Sequence, residues 1–336
     1  MSISTTIFTL KEPWIGILHQ AADSNGLISY EDFSHLALFH PEHGYYAGQR
    51  RRVGKSEQSD FYTASSHKEV FPHLVAESVS TLLAKHNLHC ECFYELGAEP
   101  DSDLWKNQSL PCPSTKILRL SNDLSVEGNA VVFSNELFDA QPFQRWFAQD
   151  GQWKPIALKI EGNKLREEIR EGAPTPSEAA LSDQFPEAPG FEYHIDVSVE
   201  AQLLLRKLLA NLWKGLFIAF DYGKTWDQLI RETPQGTARG YSKHLQTTEL
   251  HFNPGEQDLT THVCWDFLIR ELEQAGFVDI QLEHQSRFFM HHAQPVIQSV
   301  VSRPEGLTDR LKSQLLELIS PGFFGHRFQV LTAVRR

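Results

Sequence analysis

The stretch Ala130–Trp146 constrains the fold more than any other part of this sequence. It opens with Ala130-Val-Val-Phe133, a run of apolar residues that predicts a short buried strand. Asn135 and Glu136 then place polar groups where such a strand ends, and Asp139 follows in the next turn. Because ligands of open α/β sheets bind in the crevice outside the carboxyl ends of the strands, these side chains form a candidate site. The alternative is an ordinary strand-to-turn boundary with solvated acids.

A second stretch has the same form. Gly215-Leu-Phe-Ile-Ala-Phe-Asp-Tyr-Gly223 gives the clearest buried-strand pattern in the chain and also ends in an acid, Asp221. Strands that alternate with helices predict an α/β sheet. The predicted strands are 92–97, 116–120, 130–133, 143–149, 153–160, 215–223, 277–282 and 328–334, with a hairpin turn at 160–165. The predicted helices are 13–40 in two segments, 68–86, 199–213, 263–275 and about 307–319.

The loop after the first predicted strand distinguishes a dinucleotide-binding fold from other α/β sheets with the same order of strands and helices. A dinucleotide-binding fold requires Gly-x-Gly-x-x-Gly directly after that strand. Here Glu95-Leu-Gly97 is followed by Ala-Glu-Pro-Asp101, which supplies a single glycine. A dehydrogenase would share the strand and helix periodicity, but this loop disfavours it.

Charge and hydropathy exclude several classes of protein. The net charge of −12 and a pI near 5.7 argue against a nucleic-acid-binding surface, since Arg50-Arg51-Arg52 is the one basic run. No apolar run approaches the ~20 residues that a membrane helix needs. The first residues lack the character of a signal or transit peptide. We therefore expect a soluble, cytoplasmic protein that meets small molecules or other proteins, with neither nucleic acid nor membrane as a partner.

Cysteine and histidine usage predicts no metal site. The cysteines are Cys90, Cys92, Cys112 and Cys264, and Cys90-x-Cys92 is too tight for the usual zinc pair. We expect all four to be reduced thiols, mostly buried, as in a cytosol-like compartment. Histidines are plentiful, but none stand in a His-Glu-x-x-His pattern.

Several short motifs occur in a specific order along most of the chain. They are Pro41-x-x-Gly44-Tyr45-Tyr46, Asp60-Phe-x-Thr63, Glu95-Leu-Gly97, Asn135-Glu-Leu-Phe-Asp-Ala140 with Pro142, Asp221-Tyr-Gly223, Arg239-Gly-Tyr241 and Pro254-Gly-Glu-x-Asp258-Leu-Thr260. In this order and spacing they resemble the MidA family of S-adenosylmethionine-dependent methyltransferases, which includes a mitochondrial complex I assembly factor.

The resemblance implies a fold and an activity. The fold would be a class I methyltransferase (Rossmann-like) sheet, in residues 91–336, with an N-terminal helical cap in 1–90 and insertions at about 143–195 and 224–260. The cofactor would be S-adenosylmethionine. The substrate would be a protein side chain, an arginine by analogy with the mitochondrial member.

The resemblance also assigns roles to individual residues. Glu95, Gly97 and Asn135 would contact the cofactor at the strand ends, and Thr63 and Ser65 would close over it from the cap.

Another group of residues would meet the substrate. Glu136 and Asp139 would be catalytic, since carboxylates can orient a planar guanidinium through paired hydrogen bonds. The residues expected to bind substrate are Tyr45, Tyr46, Asp221 and Tyr222. The competing interpretation is that Asp139 only caps a turn, that Glu136 is solvated, and that the tyrosine pair packs the cap onto the sheet.

The sequence departs from the family where the cofactor should bind. Relatives have a Gly-Pro-Gly-x-Gly type of loop, whereas Gly97–Asp103 here carries Pro100 and acids at Glu99, Asp101 and Asp103. These side chains fill space that glycines leave open.

Other departures lie in the second predicted strand and in the cap. The acid expected after that strand is replaced, with Asp123 the nearest candidate, and Ser65-Ser66 and Cys264 stand where relatives have Pro-Glu and an acid. The connection from Asp123 to Ala130 is shorter than a helical crossover needs, so one helix and one strand of the sheet should be missing.

Two interpretations from different classes remain open. One is a working methyltransferase with an unusual cofactor pocket. The other is a catalytically inactive methyltransferase-fold scaffold that binds a protein partner.

Overall fold

The computed structural model describes residue 4 and the ranges 6–47, 64–98, 103–106, 108–120, 124–172, 174–304 and 309–336. Several residues singled out above lie outside these described ranges, namely Arg50–Arg52, Thr63, Glu99, Pro100, Asp101 and Asp123.

The helices and strands follow one another in an alternating order. The strands are β1 Phe8–Thr9, β2 Leu27–Ser29, β3 Cys92–Leu96, β4 Ser114–Leu118, β5 Asn129–Asn135, β6 Gln144–Gln149, β7 Gln152–Glu161, β8 Lys164–Ile169, β9 Tyr193–Val197, β10 Lys214–Lys224, β11 Arg239–Ser242, β12 Leu245–Thr247, β13 Asp258–Thr260, β14 Val263–Cys264, β15 Val278–His284 and β16 Phe328–Arg335. The helices are α1 Trp14–Ala21, α2 Tyr30–Phe39, α3 Phe71–His86, α4 Pro176–Ser182, α5 Val199–Leu209, α6 Trp226–Glu232, α7 Trp265–Gln274, α8 Gln285–His292, α9 Gln294–Val301, α10 Arg310–Ile319 and α11 Phe324–Arg327.

The central sheet has the strand order β4-β3-β5-β10-β16-β15. Strands β4, β3, β5 and β10 are parallel, and β16 runs antiparallel between β10 and β15. A parallel sheet closed by one antiparallel strand is the class I methyltransferase arrangement that the sequence predicted, and the prediction is confirmed.

Helices cover both faces of this sheet, which explains why its strands are apolar without alternation. Along β10, Ile218 and Phe220 face a cluster that includes α3 and α8, whereas Phe217 and Ala219 face a cluster that includes α5 and α7. Phe220 is fully buried. Truncating such a phenylalanine to alanine costs about 3–5 kcal/mol.

The sheet stops at β4 in the described part of the chain. Residues Ser114–Lys116 of β4 are exposed, and the chain passes from β4 to β5 without a helix or strand among the described residues. The prediction of a missing helix and strand is therefore confirmed. Its physical basis was the length of the connection, which is too short for a crossover helix.

A second sheet joins the N-terminal segment to the first insertion. Its order is β1-β8-β7-β6-β9, and β2 pairs with β7. The predicted hairpin is the β7–β8 turn, where Glu161 pairs with Lys164. The N-terminal segment, predicted as helical, thus contributes two strands besides α1 and α2.

The second insertion is more ordered than its composition indicates. Residues 224–260 were predicted to be irregular, yet they contain α6 and the small sheet β12-β11-β13. Strands of three or four residues are too short to show an alternating pattern, so the sequence could not reveal them.

One prediction about the cysteines is wrong. Cys90 and Cys112 form a disulfide, whereas Cys92 and Cys264 are free and buried. The pairing follows from the sheet register, because Cys92 of β3 lies opposite Ser114 of the parallel strand β4. The residues two positions earlier on each chain therefore also come together.

Candidate active site

Three parallel strands end at the same edge of the central sheet. Leu96 at the end of β3 lies opposite Ser134 of β5, and Asn135 lies opposite Phe220 of β10. This register brings Glu95, Glu136 and Asp221 to one edge, although 126 positions separate the first from the last along the sequence. The parallel topology assembles these acids.

Gly97 makes the turn that follows β3. Its φ of +68° lies in the left-handed region, and its N–H donates to the Leu118 carbonyl at 2.9 Å. A Cβ at this position would lie 2.6 Å from Cδ1 of Leu137. Glycine is needed here for both reasons, and the turn packs directly against the segment that carries Glu136 and Asp139.

Glu95 presents a buried acceptor at this edge. The residue is 6% exposed, and its Oε2 has no hydrogen-bond partner among the described residues. Burial raises the pKa of Glu95 to about 7, against the side chain of Trp105, which lies close enough to lower it. A buried acceptor is costly when unpaired, so this position suits a ligand that brings an N–H donor or a positive charge.

Asn135 and Ser134 add further polar atoms at this edge of the sheet. The amide of Asn135 donates to Oε1 of Glu136 at 3.0 Å, while its Oδ1 and the Ser134 hydroxyl have no partner among the described residues. Ser65 is partly buried in the short 3₁₀ turn Ala64–Ser66 of the cap. A backbone hydrogen bond from Ala64 stabilises the Glu136 carboxylate, so the cap reaches this edge.

The segment after β5 is held by a single carboxylate. Oδ2 of Asp221 accepts from the backbone N–H groups of Leu137, Phe138 and Asp139 at 3.2, 2.8 and 3.3 Å, and its Oδ1 accepts from Tyr222 at 2.8 Å. Glu136 begins the segment at φ +50°, and its N–H donates to the Phe220 carbonyl at 2.9 Å. The hydrogen bonds of Asp221 position the segment Glu136–Asp139, and its role in binding substrate stays a prediction.

The acids at this edge raise one another's pKa. Burial, with Asp221 and Asp258 nearby, raises the pKa of Glu136 to about 8. Burial and Asp221 raise the pKa of Asp139 well above its usual value. Burial raises the pKa of Asp221 to about 7, against the backbone N–H groups that lower it. Because Asp139 lacks comparable donors, a proton shared by this pair resides on Asp139.

Sequence reasoning gave Asp258 no role, yet it completes the cluster. Asp258 is 2% exposed on β13, and its Oδ1 accepts from the hydroxyl of Tyr46 at 3.0 Å. It lies opposite Tyr241 of β11, and the nearby Thr261 N–H donates to the Asp139 carbonyl at 2.9 Å. The only sequence signal was its position in the Pro254–Thr260 motif.

The four tyrosines near the acids differ in their surroundings. Tyr45 is 4% exposed in the apolar core of the cap, edge-on to Tyr46, so its ring packs the cap. Burial and Asp258 raise the pKa of Tyr46, which remains a hydrogen-bond donor. Tyr222 lies against Phe328 with ring centroids 4.1 Å apart. Tyr241 borders a cleft of about 370 Å³ that is also lined by Thr237, Arg239 and His262.

The family is established by a match over more than half of the chain. Residues 83–281 match the family described as "Putative S-adenosyl-L-methionine-dependent methyltransferase". The chain belongs to this family. The sequence matches no curated protein.

Solved structures share the whole fold. One is a COG1565 superfamily member from Burkholderia thailandensis bound to S-adenosyl-homocysteine, with a TM-score of 0.81, 20% identity, and coverage of 98% of this chain and 95% of that chain. Another is a native COG1565 superfamily protein from the same organism, with a TM-score of 0.78, 19% identity and the same coverage. These likenesses show that the chain has the fold of those two proteins over nearly its whole length.

The length and hydropathy of the helices bear on whether the chain could span a membrane. Among the described residues, none of the helices combines the length and the apolar character that a membrane span requires.

Proposed function

We propose that this protein transfers a methyl group from S-adenosylmethionine to an arginine side chain of a protein. The observation that carries the proposal is the convergence of Glu136, Asp139, Asp221 and Asp258 beside the Gly97 turn. A family of S-adenosylmethionine-dependent enzymes needs a cofactor pocket at this edge, and the acids next to it favour a cationic substrate.

The described residues fit the cofactor at its amino-acid end. Gly97 makes the left-handed turn at the end of β3, next to Glu95, and Oε2 of Glu95 can accept a hydrogen bond from an ammonium group. When bound, the cofactor supplies an electrophilic methyl group. The protein's own contribution is alignment, since displacement at a methyl carbon needs the acceptor atom in line.

The acid cluster suits a guanidinium in particular. Arginine presents planar, paired N–H donors, and carboxylates along two edges of the group can hold it in one orientation. Glu136 and Asp139 come from the same segment, whereas Asp258 comes from β13 and therefore approaches from another direction. The cleft beside Tyr241 offers space for the rest of a peptide.

Glu136 can also accept the proton that a methylated nitrogen loses. An acceptor works best when its pKa is near the working pH, and the pKa of Glu136 is raised to about 8. The proton would pass to the ionised form of the Glu136 carboxylate, which the amide of Asn135 and the backbone of Ala64 hold in place. Glu136 thus orients the substrate and receives its proton.

One observation favours a second function. The loop that begins at Gly97 has one glycine where the family's loop has several, with Pro100 and three acids in their place. A protein that had lost its cofactor could keep the fold as a scaffold for a protein partner.

Calorimetric titration with S-adenosylmethionine and S-adenosylhomocysteine separates the two functions. Binding at micromolar strength supports the enzyme. No binding at millimolar ligand, from folded protein, supports the scaffold and overturns the proposal.

A peptide pair tests the substrate class. An arginine-rich peptide and a lysine-rich peptide of equal length are incubated with the protein and cofactor, and added methyl groups are found by mass spectrometry. We expect methylation of arginine alone, lost in Glu136→Gln and kept in Asp227→Asn, which changes an exposed acid of α6. Methylation of lysine, or none in the presence of bound cofactor, would overturn the arginine assignment while leaving cofactor binding intact.

A further inference from the structure

A cluster of metal-ligating side chains lies away from the candidate active site, on the edge strand of the central sheet. Glu283 of β15 meets His291 and His292 at the end of α8, with one ligand atom of each residue within 4.8 Å of the other two. Nδ1 of His291 is 3.1 Å from Oε1 of Glu283, and Nε2 of His292 is 3.8 Å from Oε2.

These distances match the spacing of ligands around a small ion. Zinc–nitrogen and zinc–oxygen bonds are about 2.0–2.2 Å, so two ligands of a tetrahedral ion lie roughly 3.3 Å apart. The donor set of two imidazoles and one carboxylate is also one that zinc and its neighbours prefer, and calcium and magnesium do not.

The site has walls. Glu283 is 16% and His292 13% exposed in their side chains, and both line a cleft of about 500 Å³ between the sheet edge and the ends of α3 and α8. His86 of α3 lines the same cleft and lies 3.5 Å from Asp279. Because the His291 side chain is 50% exposed, a bound ion would have this recess on one side and solvent on the other.

We propose that Glu283, His291 and His292 bind a divalent transition-metal ion of the zinc class. Three protein ligands leave a fourth position for water or a small anion, as in open zinc sites. The ion ties the end of α8 to β15. The sequence gave no sign of this site because adjacent histidines match no metal-binding spacing and the carboxylate is eight residues away.

A competing arrangement is an ion pair without metal. Nε of Arg287 lies 3.1 Å from Oε1 of Glu283, and the Arg287 side chain is 70% exposed. Because exposed ion pairs contribute little, a metal can displace this arginine at small cost. The two arrangements predict different effects of removing Arg287. A metal site would bind its ion more tightly without the nearby positive charge, whereas an ion-pair network without a metal site would show no gain in metal affinity.

The test is titration of the metal-stripped full-length protein with zinc by calorimetry, and with cobalt by visible absorption. We expect one ion per chain and the intense cobalt absorption of a four-coordinate site. His292→Ala and Glu283→Gln should each weaken zinc binding at least about tenfold, and Arg287→Ala should strengthen it severalfold.

His284→Ala is the matched control. His284 stacks on His326 with ring centroids 4.7 Å apart, so this is another histidine pair on the same edge, and its loss should leave zinc binding unchanged. Thermal unfolding without metal checks that each variant is folded. Unchanged zinc affinity in both His292→Ala and Glu283→Gln, or no cobalt absorption in the native protein, would overturn the proposal.

Discussion

The backbone N–H of Asp139 donates to the side chain of Asp221 at 3.3 Å, so one acid of the cluster fixes the position of another. Leu137 and Phe138 donate to the same oxygen. The strand end of β10 thereby determines where the segment after β5 can lie. This relationship explains why the two acids occur together in one motif set even though different strands carry them.

Replacing Asp221 should therefore destabilise the Glu136–Asp139 segment that its carboxylate holds. In Asp221→Asn, one carboxylate oxygen becomes an NH₂ group that faces backbone donors, and we expect a loss of about 3 kcal/mol in the free energy of unfolding. Asp139→Asn is the matched control, because its amide can donate to Asp221 as the protonated Asp139 does, and the change should cost under about 1 kcal/mol. Urea unfolding at pH 7 measures both, and equal losses would contradict the assigned roles.

Gly97 should be more sensitive than another glycine with the same backbone. Gly97 and Gly276 both have positive φ, but a Cβ at Gly276 would meet nothing within 4 Å. Gly276→Ala should cost about 1 kcal/mol of stability and leave cofactor binding unchanged. Gly97→Ala should cost more and weaken S-adenosylhomocysteine binding by at least about tenfold, since it displaces Leu137. Calorimetry on both variants checks this, and equal binding would show that the turn does not border the cofactor.

Stability should fall as the pH rises from about 4.5 to about 8. The pKa of Glu136 is raised to about 8 and that of Glu95 to about 7, so in this window the folded state binds more protons than the unfolded state. Glu136→Gln should reduce the slope of the unfolding free energy against pH by up to about 1.4 kcal/mol per pH unit. Urea unfolding at several pH values measures it. The exposed substitution Glu161→Gln should leave the slope unchanged, and a steeper slope in Glu136→Gln would refute the assignment.

The insertion sheet depends on one buried arginine. Arg145 is 8% exposed and contacts Glu167 at 2.6 Å and Asp196 at 2.8 Å, while Asp196 also accepts from the backbone of Thr237 and Ala238. Arg145→Met leaves both acids buried without a counter-charge and should cost about 3–5 kcal/mol.

An arginine on β8 provides the comparison. Arg166→Met removes a partly exposed pair with Glu168 and should cost about 1 kcal/mol or less. The loss in Arg145→Met should also shrink at low pH, where the two unpaired acids can take up protons. Denaturant unfolding of both variants at pH 5 and pH 8 measures this, and similar losses would show that the buried network contributes little.

The central sheet could be predicted because its strands carry local signals. Each of β3, β5 and β10 is an apolar run followed by an acid or a glycine, and the shortness of the chain before Ala130 revealed the missing strand. The insertion sheet gave weaker signals. In β8, Lys-Leu-Arg-Glu-Glu-Ile carries four charges in six residues, and Glu167 is buried only because Arg145 comes to it from another strand.

The same limit applies to the candidate site. Glu136 and Asp139 follow a strand that periodicity located, whereas the roles of Glu95 and Gly97 were predicted from the family resemblance. Asp258 and Tyr241 come from strands of three and four residues, and their approach to the cluster depends on long-range pairing. The Cys90–Cys112 disulfide likewise depends on the register of two strands, which composition does not determine.

The pairing of β1 with β8 and of β2 with β7 has a consequence for how a substrate reaches the acids. A cap that only packed against the sheet through side chains could move away from it independently. Here the N-terminal segment is bound by backbone hydrogen bonds to the insertion, and Tyr46 is bound to Asp258. Any opening of this edge must therefore move the N-terminal segment and the insertion sheet together, as one unit.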